Sequence, residues 1–228
     1  MHHLFHSACP LCHGKSAKHG LCSDCLQDFS ALQLNKEHCP LCKEPSIHGN
    51  ICGACIQKPP PIDAFDASFR YEEPLRLLLT RWKNQGLMQL SSAVTELLTA
   101  YPAKFRQPEK FDYIVPMPVS RLRLIEHGFH HTLLLAEAAS HVFNIPVLPT
   151  AAIVRQHRPP QSSLSSKERK NNLRHAFTIQ QAMTSLRLLI IDDVSTTGSS
   201  INELAGSLKK AGAARVCAWT LAKTLLHD

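Results

Sequence analysis

The chain has 228 residues, which is enough for one or two domains of ordinary size. Hydrophobic residues make up 44% and charged residues 19%, and this globular composition excludes a collagen-like, coiled-coil or wholly disordered chain. The formal net charge of +7 favours anionic partners such as phosphates or nucleic acid, although solubility alone explains it equally well. No apolar run approaches the roughly 18 residues of a membrane span, and the N-terminus does not resemble a signal peptide. We therefore expect a cytoplasmic protein with no membrane insertion.

Eight of the nine cysteines lie between residues 9 and 55 as four Cys-x-x-Cys pairs. The spacing C-x2-C-x9-C-x2-C occurs twice, 30 residues apart, so one small structural unit is used twice. Four cysteines at this spacing form a closed tetrahedral site that holds zinc for structure rather than for catalysis. The predicted zinc ligands are Cys9, Cys12, Cys22, Cys25, Cys39, Cys42, Cys52 and Cys55.

Three interpretations of these cysteine pairs compete. Disulfides are disfavoured because a chain without a secretory signal stays in a reducing compartment. A thioredoxin-like redox pair needs a strand-helix-strand unit, and this stretch is poor in strand pattern. Structural zinc therefore remains the best interpretation, with two sites expected and at least one required. The ligands can pair sequentially, within each copy, or crossed between copies, and we prefer sequential pairing because each copy is complete.

The stiff run Lys58-Pro59-Pro60-Pro61 marks a linker between two regions. We predict a double zinc ribbon over 1–58, a linker and helical region of the C-terminal domain over 59–110, and a core over 111–228. Strands that alternate with helices favour a mainly parallel sheet with right-handed crossovers. The apolar patterns predict helices at 73–83, 87–100, 131–143 and about 201–211, and strands at 111–115, 188–191 and 215–221.

The most informative segment of the sequence runs from Leu188 to Ser200. A buried strand leads into Asp192 and Asp193, then into a loop rich in Thr, Gly and Ser, and then into a helix. Ligands bind at the carboxyl ends of parallel strands, and loop amides at a helix N-terminus favour an anion. A ribose 5-phosphate fits this arrangement, with its phosphate in the loop and its hydroxyls at the acids. A single Thr-Gly-Ser loop would be explained as well by a capped helix beside two solvated carboxylates. The full order of strand, Asp-Asp and Thr-Thr-Gly-Ser-Ser indicates a phosphate site much more specifically.

Residues 190–200 resemble the phosphoribosyl-diphosphate (PRPP) signature of type I phosphoribosyltransferases. Joined to an N-terminal zinc ribbon, this motif resembles the ComF family of competence proteins, which is associated with natural transformation. The likeness covers nearly the whole chain, including the Lys-Pro-Pro linker, Arg81-Trp82-Lys83 and Val115-Pro116-Met117-Pro118. It implies an α/β fold with a type I phosphoribosyltransferase-like parallel sheet and flanking helices, preceded by a small N-terminal double zinc-ribbon domain.

The resemblance also implies roles for individual residues. Asp192 and Asp193 would be the catalytic pair, holding the ribose hydroxyls and helping to place a magnesium ion. Arg121 and Arg123 are the candidates for pyrophosphate contacts. The residues that would bind the 5-phosphate and the rest of PRPP are Val194, Ser195, Thr196, Thr197, Gly198, Ser199 and Ser200.

The chain departs from the family pattern at one point. It reads His127-Gly128-Phe129-His130-His131 where the family pattern is Arg-Gly-Phe-Asn-Gln. The loss of that arginine bears on the tightness of pyrophosphate binding and, because histidine titrates near neutral pH, on its pH dependence. A polar helix start is the equally weighted alternative for His130 and His131.

Residues 155–177 are basic and polar and contain two prolines, and they resemble the mobile hood that covers the substrate in transferases. Residues 121–175 together carry eight basic side chains against three acidic ones, so the positive charge of the chain is concentrated there. A solvated basic face is the alternative for any single position. The candidate DNA-binding residues are Arg155, Arg158, Lys167, Arg169, Lys170 and Arg174.

The resemblance implies a competence factor that acts on imported single-stranded DNA during DNA uptake and natural transformation, with a site that binds PRPP and magnesium. The alternative is an active phosphoribosyltransferase of nucleotide or cofactor metabolism whose acceptor is unknown, and the sequence leaves open whether the protein is an enzyme. The expected partners are PRPP, or a related ribose 5-phosphate ligand, and single-stranded DNA. The ribbons would also suit docking of a competence helicase or a recombination protein.

Overall fold

The structure is a computed structural model that describes residues 8–14, 20–34, 37–105, 110–156 and 176–225. Five of the candidate DNA-binding residues lie outside the described residues, namely Arg158, Lys167, Arg169, Lys170 and Arg174. Within the described ranges, no helix combines the length and the apolar character that crossing a membrane requires.

The described residues form six strands and seven α-helices. The strands are β1 (Ala64–Arg70), β2 (Tyr113–Pro116), β3 (Ile153–Arg155), β4 (Phe177–Ile179), β5 (Arg187–Ser195) and β6 (Arg215–Lys223). The helices are α1 (Ser23–Asp28), α2 (Gly53–Gln57), α3 (Leu75–Asn84), α4 (Ser91–Ala100), α5 (Arg121–His127), α6 (His131–Phe143) and α7 (Ser199–Lys210).

Four strands form a parallel sheet in the order β1-β6-β5-β2, and β3 and β4 form a separate antiparallel pair. The central strands β5 and β6 are apolar on both faces, as expected when helices cover both sides of a parallel sheet. Successive side chains alternate between the faces, so Ile191 packs with Trp82 and Leu135 of α3 and α6, whereas Ile190 packs with Leu204 of α7. The predicted parallel sheet with flanking helices is confirmed.

The bounds of several elements differ from the sequence predictions. Helix α6 has the predicted bounds, 131–143, but β5 runs to Ser195 instead of ending at 191 because residues 192–195 still pair with β6. Both acids of the motif are therefore part of the strand, and the loop that follows is short. Strand β1 lies in 59–110, for which the sequence predicted a linker and two helices but no strand, and neither α5 nor the antiparallel β3–β4 pair was predicted.

The N-terminal cysteine-rich segment packs directly against the first strand of the sheet. Phe29 is fully buried, and its ring meets Phe69 of β1 edge-on with a centroid distance of 6.2 Å. A short antiparallel bridge joins Gln33 to Phe69, and the amide of Phe65 donates to the carbonyl oxygen of Pro40 at 2.8 Å. Both cysteine repeats are thus attached to β1, at the edge of the sheet.

Candidate functional site

The structure brings the eight predicted metal ligands together as two groups of four, one from each sequence repeat. In each group the four sulfur atoms lie within 4.8 Å of one another. Cys12 Sγ lies 3.5 Å from Cys22 Sγ, and Cys42 Sγ lies 3.6 Å from Cys52 Sγ. Tetrahedral zinc with Zn–S bonds of about 2.3 Å needs ligand separations of about 3.8 Å, so both groups fit that ion. The grouping is sequential rather than crossed.

The surroundings of the sulfur atoms also suit a metal. The nine cysteines are free thiols, and backbone amides donate to several of the sulfurs, for example from Cys52 to Cys39 Sγ at 3.4 Å. Burial would raise the pKa of Cys9, but backbone hydrogen bonds outweigh it and lower that pKa to about 6. Burial and the charge of Cys39 raise the pKa of Cys42 to about 12. Four thiolates this close need a compensating cation, which a zinc ion supplies.

The two acids at the end of β5 have different surroundings. Asp193 is 1% exposed, with its Oδ2 atom 2.6 Å from Lys83 Nζ of α3 and 3.7 Å from His131 Nε2 of α6. Burial would raise the pKa of Asp193, but Lys83 and His131 outweigh it and lower that pKa. Asp192 is only half-buried, and burial together with the charge of Asp193 raises its pKa. Asp193 is therefore engaged inside the protein, and Asp192 is the acid that remains accessible.

Sequence reasoning assigned no role to Lys83 or to the buried side of His131. Lys83 belongs to the Arg81-Trp82-Lys83 stretch that contributed to the family resemblance, and its neighbour Trp82 is fully buried. The indole of Trp82 donates to Ser91 Oγ at 2.9 Å and lies edge-on to the His131 ring at 6.0 Å. This packing fixes α3 and α6, the helices that bring Lys83 and His131 to Asp193.

The loop after β5 presents polar groups at the start of α7. The side chains of Thr196, Thr197 and Ser199 are exposed, and Gly198 adopts a left-handed conformation with φ of +71°, which glycine accommodates without strain. Thr197 Oγ1 lies 2.7 Å from Ser199 Oγ. Hydroxyls and amides at the N-terminus of a helix favour an anion, so this loop is a candidate anion-binding site.

A buried lysine lies on the protein side of this loop. Lys223, at the end of β6, is 2% exposed and donates from Nζ to the carbonyl oxygen of Thr196 at 2.8 Å and to that of Thr224. The same ammonium group lies 2.7 Å from Glu44 Oε1, two residues after the zinc-ligand candidate Cys42. No motif in the sequence pointed to Lys223 or Glu44, because they are 179 residues apart.

The candidate pyrophosphate contacts, Arg121 and Arg123, follow the end of β2, the strand next to β5. Arg121 and Arg123 are exposed in the first turn of α5, which Ser120 caps by accepting from the Arg123 amide at 3.4 Å. His130 Nδ1 accepts the Leu133 amide at 3.1 Å, so His130 caps the start of α6, as the polar-helix-start interpretation expects. Burial lowers the pKa of His130, which favours its neutral form at neutral pH.

Arg155 is the one DNA-binding candidate that the described residues include. Its guanidinium lies 5.5 Å from the centre of the Phe177 ring and donates to the carbonyl oxygen of Pro118 at 3.3 Å. Burial and the charge of Arg123 lower the pKa of Arg155, while Asp192 acts in the opposite direction. Arg155 is therefore packed against Phe177 and Pro118, with the charges of Arg123 and Asp192 close enough to act on it.

A cleft of about 270 Å³ opens beside Arg155, between the β2–α5 loop and β3. Its walls are mostly apolar and include Pro116, Leu124 and Leu148, with Arg121, His130 and Arg155 as polar groups. Concave apolar walls with a few polar groups are typical of small-molecule sites. The cleft lies next to the end of β2 and thus one strand away from Asp192.

Comparison with known proteins identifies relatives over the length of the chain. The double zinc ribbon domain family matches residues 1–56. Competence protein F of Haemophilus influenzae is 30% identical over 98% of this chain and 100% of that protein. DNA utilization protein YhgH of Salmonella typhi is 32% identical over 74% of this chain and 76% of that protein. Competence protein ComFC of Bacillus subtilis is 27% identical over 95% of this chain and 78% of that protein.

Among solved structures, the glutamine PRPP amidotransferase of B. subtilis complexed with ADP and GMP aligns with 56% of this chain and 25% of its own. The TM-score of that alignment is 0.37 and the sequence identity is 14%. The match to competence protein F spans both the cysteine repeats and the α/β sheet, since it covers 98% of this chain. The chain belongs to the competence protein F (ComF) family.

Proposed function

We propose that this protein binds PRPP together with magnesium at the carboxyl end of β5 and serves DNA uptake by natural transformation. The observation that carries the proposal is the exposed Thr197–Ser199 loop at the start of α7, next to the half-buried carboxylate of Asp192. An anion site and an acid at the end of the same strand suit a sugar phosphate, whose two ends differ in charge and hydrogen bonding.

Different residues would contact different groups of the ligand. Amides and hydroxyls of Thr196, Thr197, Ser199 and Ser200 would hold the 5-phosphate, and Asp192 would accept from the ribose hydroxyls. Asp193 would keep the end of β5 in place through Lys83 and His131, since its carboxylate is already engaged there. Magnesium, held by Asp192 and the ligand phosphates, would neutralise charge on the pyrophosphate group.

The basic side chains on the neighbouring elements complete the site. Arg121 and Arg123 at the start of α5 would meet the pyrophosphate, and Arg155, which lines the same cleft as Arg121, would add a third guanidinium. Guanidinium groups suit this role because their paired N–H donors match phosphate oxygens. Loss of the family arginine at position 127 is thus offset, in this proposal, by arginines on α5 and β3.

The alternative function is an active phosphoribosyltransferase. The cleft of about 270 Å³ beside Arg155 supports it, since a small acceptor there would lie one strand away from the ribose site. Catalysis would be electrostatic, with the arginines balancing the charge of the departing pyrophosphate. The acceptor remains unassigned.

We place the protein in the cytoplasm, acting on imported single-stranded DNA. The names of its relatives, competence protein and DNA utilization protein, support a role in DNA handling, and the basic segment 121–175 supports contact with a polyanion. Zinc in both ribbons would stabilise the N-terminal segment, which would also be the docking region for a helicase or recombination partner.

Isothermal titration calorimetry of the full chain with PRPP and magnesium tests the site. We expect the Asp192→Ala variant to bind PRPP at least about tenfold more weakly, because a hydrogen bond to a charged group contributes about 1.5–3 kcal/mol. The Glu137→Ala variant, which removes an exposed carboxylate of α6, is the matched control and should bind like the wild type. Equal affinity of the Asp192→Ala variant and the wild type, or no binding by either, would contradict the proposed site.

A further inference from the structure

The second zinc ribbon reaches the candidate phosphate loop through one buried ion pair. Glu44 follows Cys42 by two residues, and its carboxylate lies 2.7 Å from Lys223 Nζ. The ammonium group of Lys223 also donates to the carbonyl oxygen of Thr196, the first residue of the loop. The side chains of Lys223 and Glu44 are 3% and 16% exposed, so water screens this pair little.

The metal-binding turn determines where Glu44 lies. The amide of Cys39 donates to the carbonyl oxygen of Glu44 at 2.9 Å, and the amide of Lys43 donates to that of Cys39 at 2.9 Å. These bonds close the turn that carries Cys39 and Cys42. A change in the geometry of the four sulfurs therefore moves the backbone of Glu44 directly.

The same turn is fixed to the sheet at two further points. The amide of Phe65 donates to the Pro40 carbonyl oxygen at 2.8 Å, and Lys43 Nζ lies 2.8 Å from Asp66 Oδ1. Both partners belong to β1, which pairs with β6, the strand that ends in Lys223. The ribbon, the two strands and the loop thus form one continuous set of contacts.

We propose that the second zinc ribbon positions the phosphate loop, with Glu44 and Lys223 as positioning residues, so that metal in this ribbon and a phosphate ligand in the loop stabilise each other. Naming the ligand as PRPP depends on the proposed function, whereas the link between ribbon and loop does not. A buried ammonium group without a counter-charge is unfavourable, so loss of Glu44 would release Lys223 from Thr196. Because Glu44 neutralises the charge of Lys223, the lysine would hold the loop in place by its hydrogen bond to Thr196 and would add little positive charge to attract the ligand.

Two separate measurements test the proposal, one of the loop without ligand and one of zinc release with and without ligand. The full chain is compared with Glu44→Gln and with Asp24→Asn, a matched change of an exposed carboxylate in the first ribbon. Hydrogen exchange of a peptide covering residues 194–200 reports on the loop without any ligand. A chromogenic chelator reports the rate of zinc release with and without PRPP and magnesium.

We expect the Glu44→Gln variant to retain two zinc ions per chain but to exchange the amides of residues 196–199 about tenfold faster, within the range of typical coupling energies. In the wild type, saturating PRPP should slow the release of one zinc, and this effect should be lost in Glu44→Gln. The Asp24→Asn variant should match the wild type in both measurements.

Unchanged loop exchange in Glu44→Gln, or zinc release that PRPP leaves unaffected in a wild type that binds PRPP, would overturn the proposal. If Glu44→Gln loses stability throughout, the double-mutant cycle of Glu44→Gln, Lys223→Gln and Glu44→Gln/Lys223→Gln decides, since paired residues show non-additive effects on loop exchange and unrelated residues do not. Faster loop exchange in Glu44→Gln alongside a wild type that does not bind PRPP would refute the proposed function and leave the positioning role intact.

Discussion

The two cysteine repeats have the same internal geometry and different attachments. In the first, the Cys9 amide donates to the Gly14 carbonyl oxygen at 2.7 Å, and in the second the Cys39 amide donates to that of Glu44 at 2.9 Å. His13 and Lys43 occupy the same left-handed position, with φ of 61° and 60°. The spacing of the cysteines therefore specifies the metal-binding turns and leaves the remaining residues free to diverge.

The divergence determines what each repeat contacts. The first repeat is followed by Phe29, which packs in the apolar core, and its Leu21 is also buried there. The second repeat instead presents Lys43 and Glu44, which form ion pairs with Asp66 and Lys223. The two similar metal-binding turns therefore make different contacts. The first ribbon adds to the hydrophobic core, and the second contacts the loop of the candidate site through Glu44 and Lys223.

Removing the apolar attachment should have the largest effect on stability. The Phe29→Ala variant loses a fully buried ring that contacts Phe69, and truncation of a buried phenylalanine costs about 3–5 kcal/mol. We expect this loss in the free energy of unfolding measured by urea denaturation of the zinc-loaded chain. A loss below about 1 kcal/mol would mean that the first ribbon contributes little to the core.

Removing an ionic attachment should cost less. The Lys43→Met variant leaves the Asp66 carboxylate buried with the amide of Lys104 as its remaining donor, and we expect a loss of about 2 kcal/mol. The double variant Lys43→Met/Asp66→Asn should recover part of that loss, because the unpaired charge is removed as well. If the double variant loses as much as the two single variants together, the ion pair does not attach the ribbon.

A change at His13, the first-repeat counterpart of Lys43, should have the smallest effect on stability and serves as the control. His13 is exposed. The His13→Lys variant therefore places in the first repeat the residue type found at position 43, but without a buried carboxylate such as Asp66 to pair with. We expect the free energy of unfolding to stay within about 0.5 kcal/mol of the wild type. A change of the size seen for Lys43→Met would show that the residue, rather than its contact with Asp66, determines the difference.

Local sequence patterns were sufficient for much of the fold. The periodicity of residues 131–143 predicted α6, and the run of apolar residues from 188 predicted the start of β5. Strand β1 escaped prediction because Asp66 and Ser68 interrupt its apolar pattern, and both are buried through partners that lie far away in sequence. The end of β5 was placed too early because pairing with β6 outweighs the polar character of Asp192 and Asp193.

In the candidate site too, local sequence predicted some features, whereas contacts between residues distant in sequence could not be predicted. The order of strand, acids and small polar residues in 188–200 identified the loop. The partners that fix it, Lys83, His131 and Lys223, could not be predicted because nothing in their own neighbourhoods indicates which carboxylate or carbonyl they meet. The different surroundings of Asp192 and Asp193 likewise follow from packing of α3 and α6 against the sheet.

A crystal structure of the full chain with PRPP and magnesium would show directly whether the ligand binds at the end of β5. We expect the 5-phosphate within hydrogen-bonding distance of the amides of residues 197–199, with the ribose hydroxyls at the Asp192 carboxylate and Lys223 still bound to Glu44. A ligand bound elsewhere, with its phosphate away from the start of α7, would refute the proposed site.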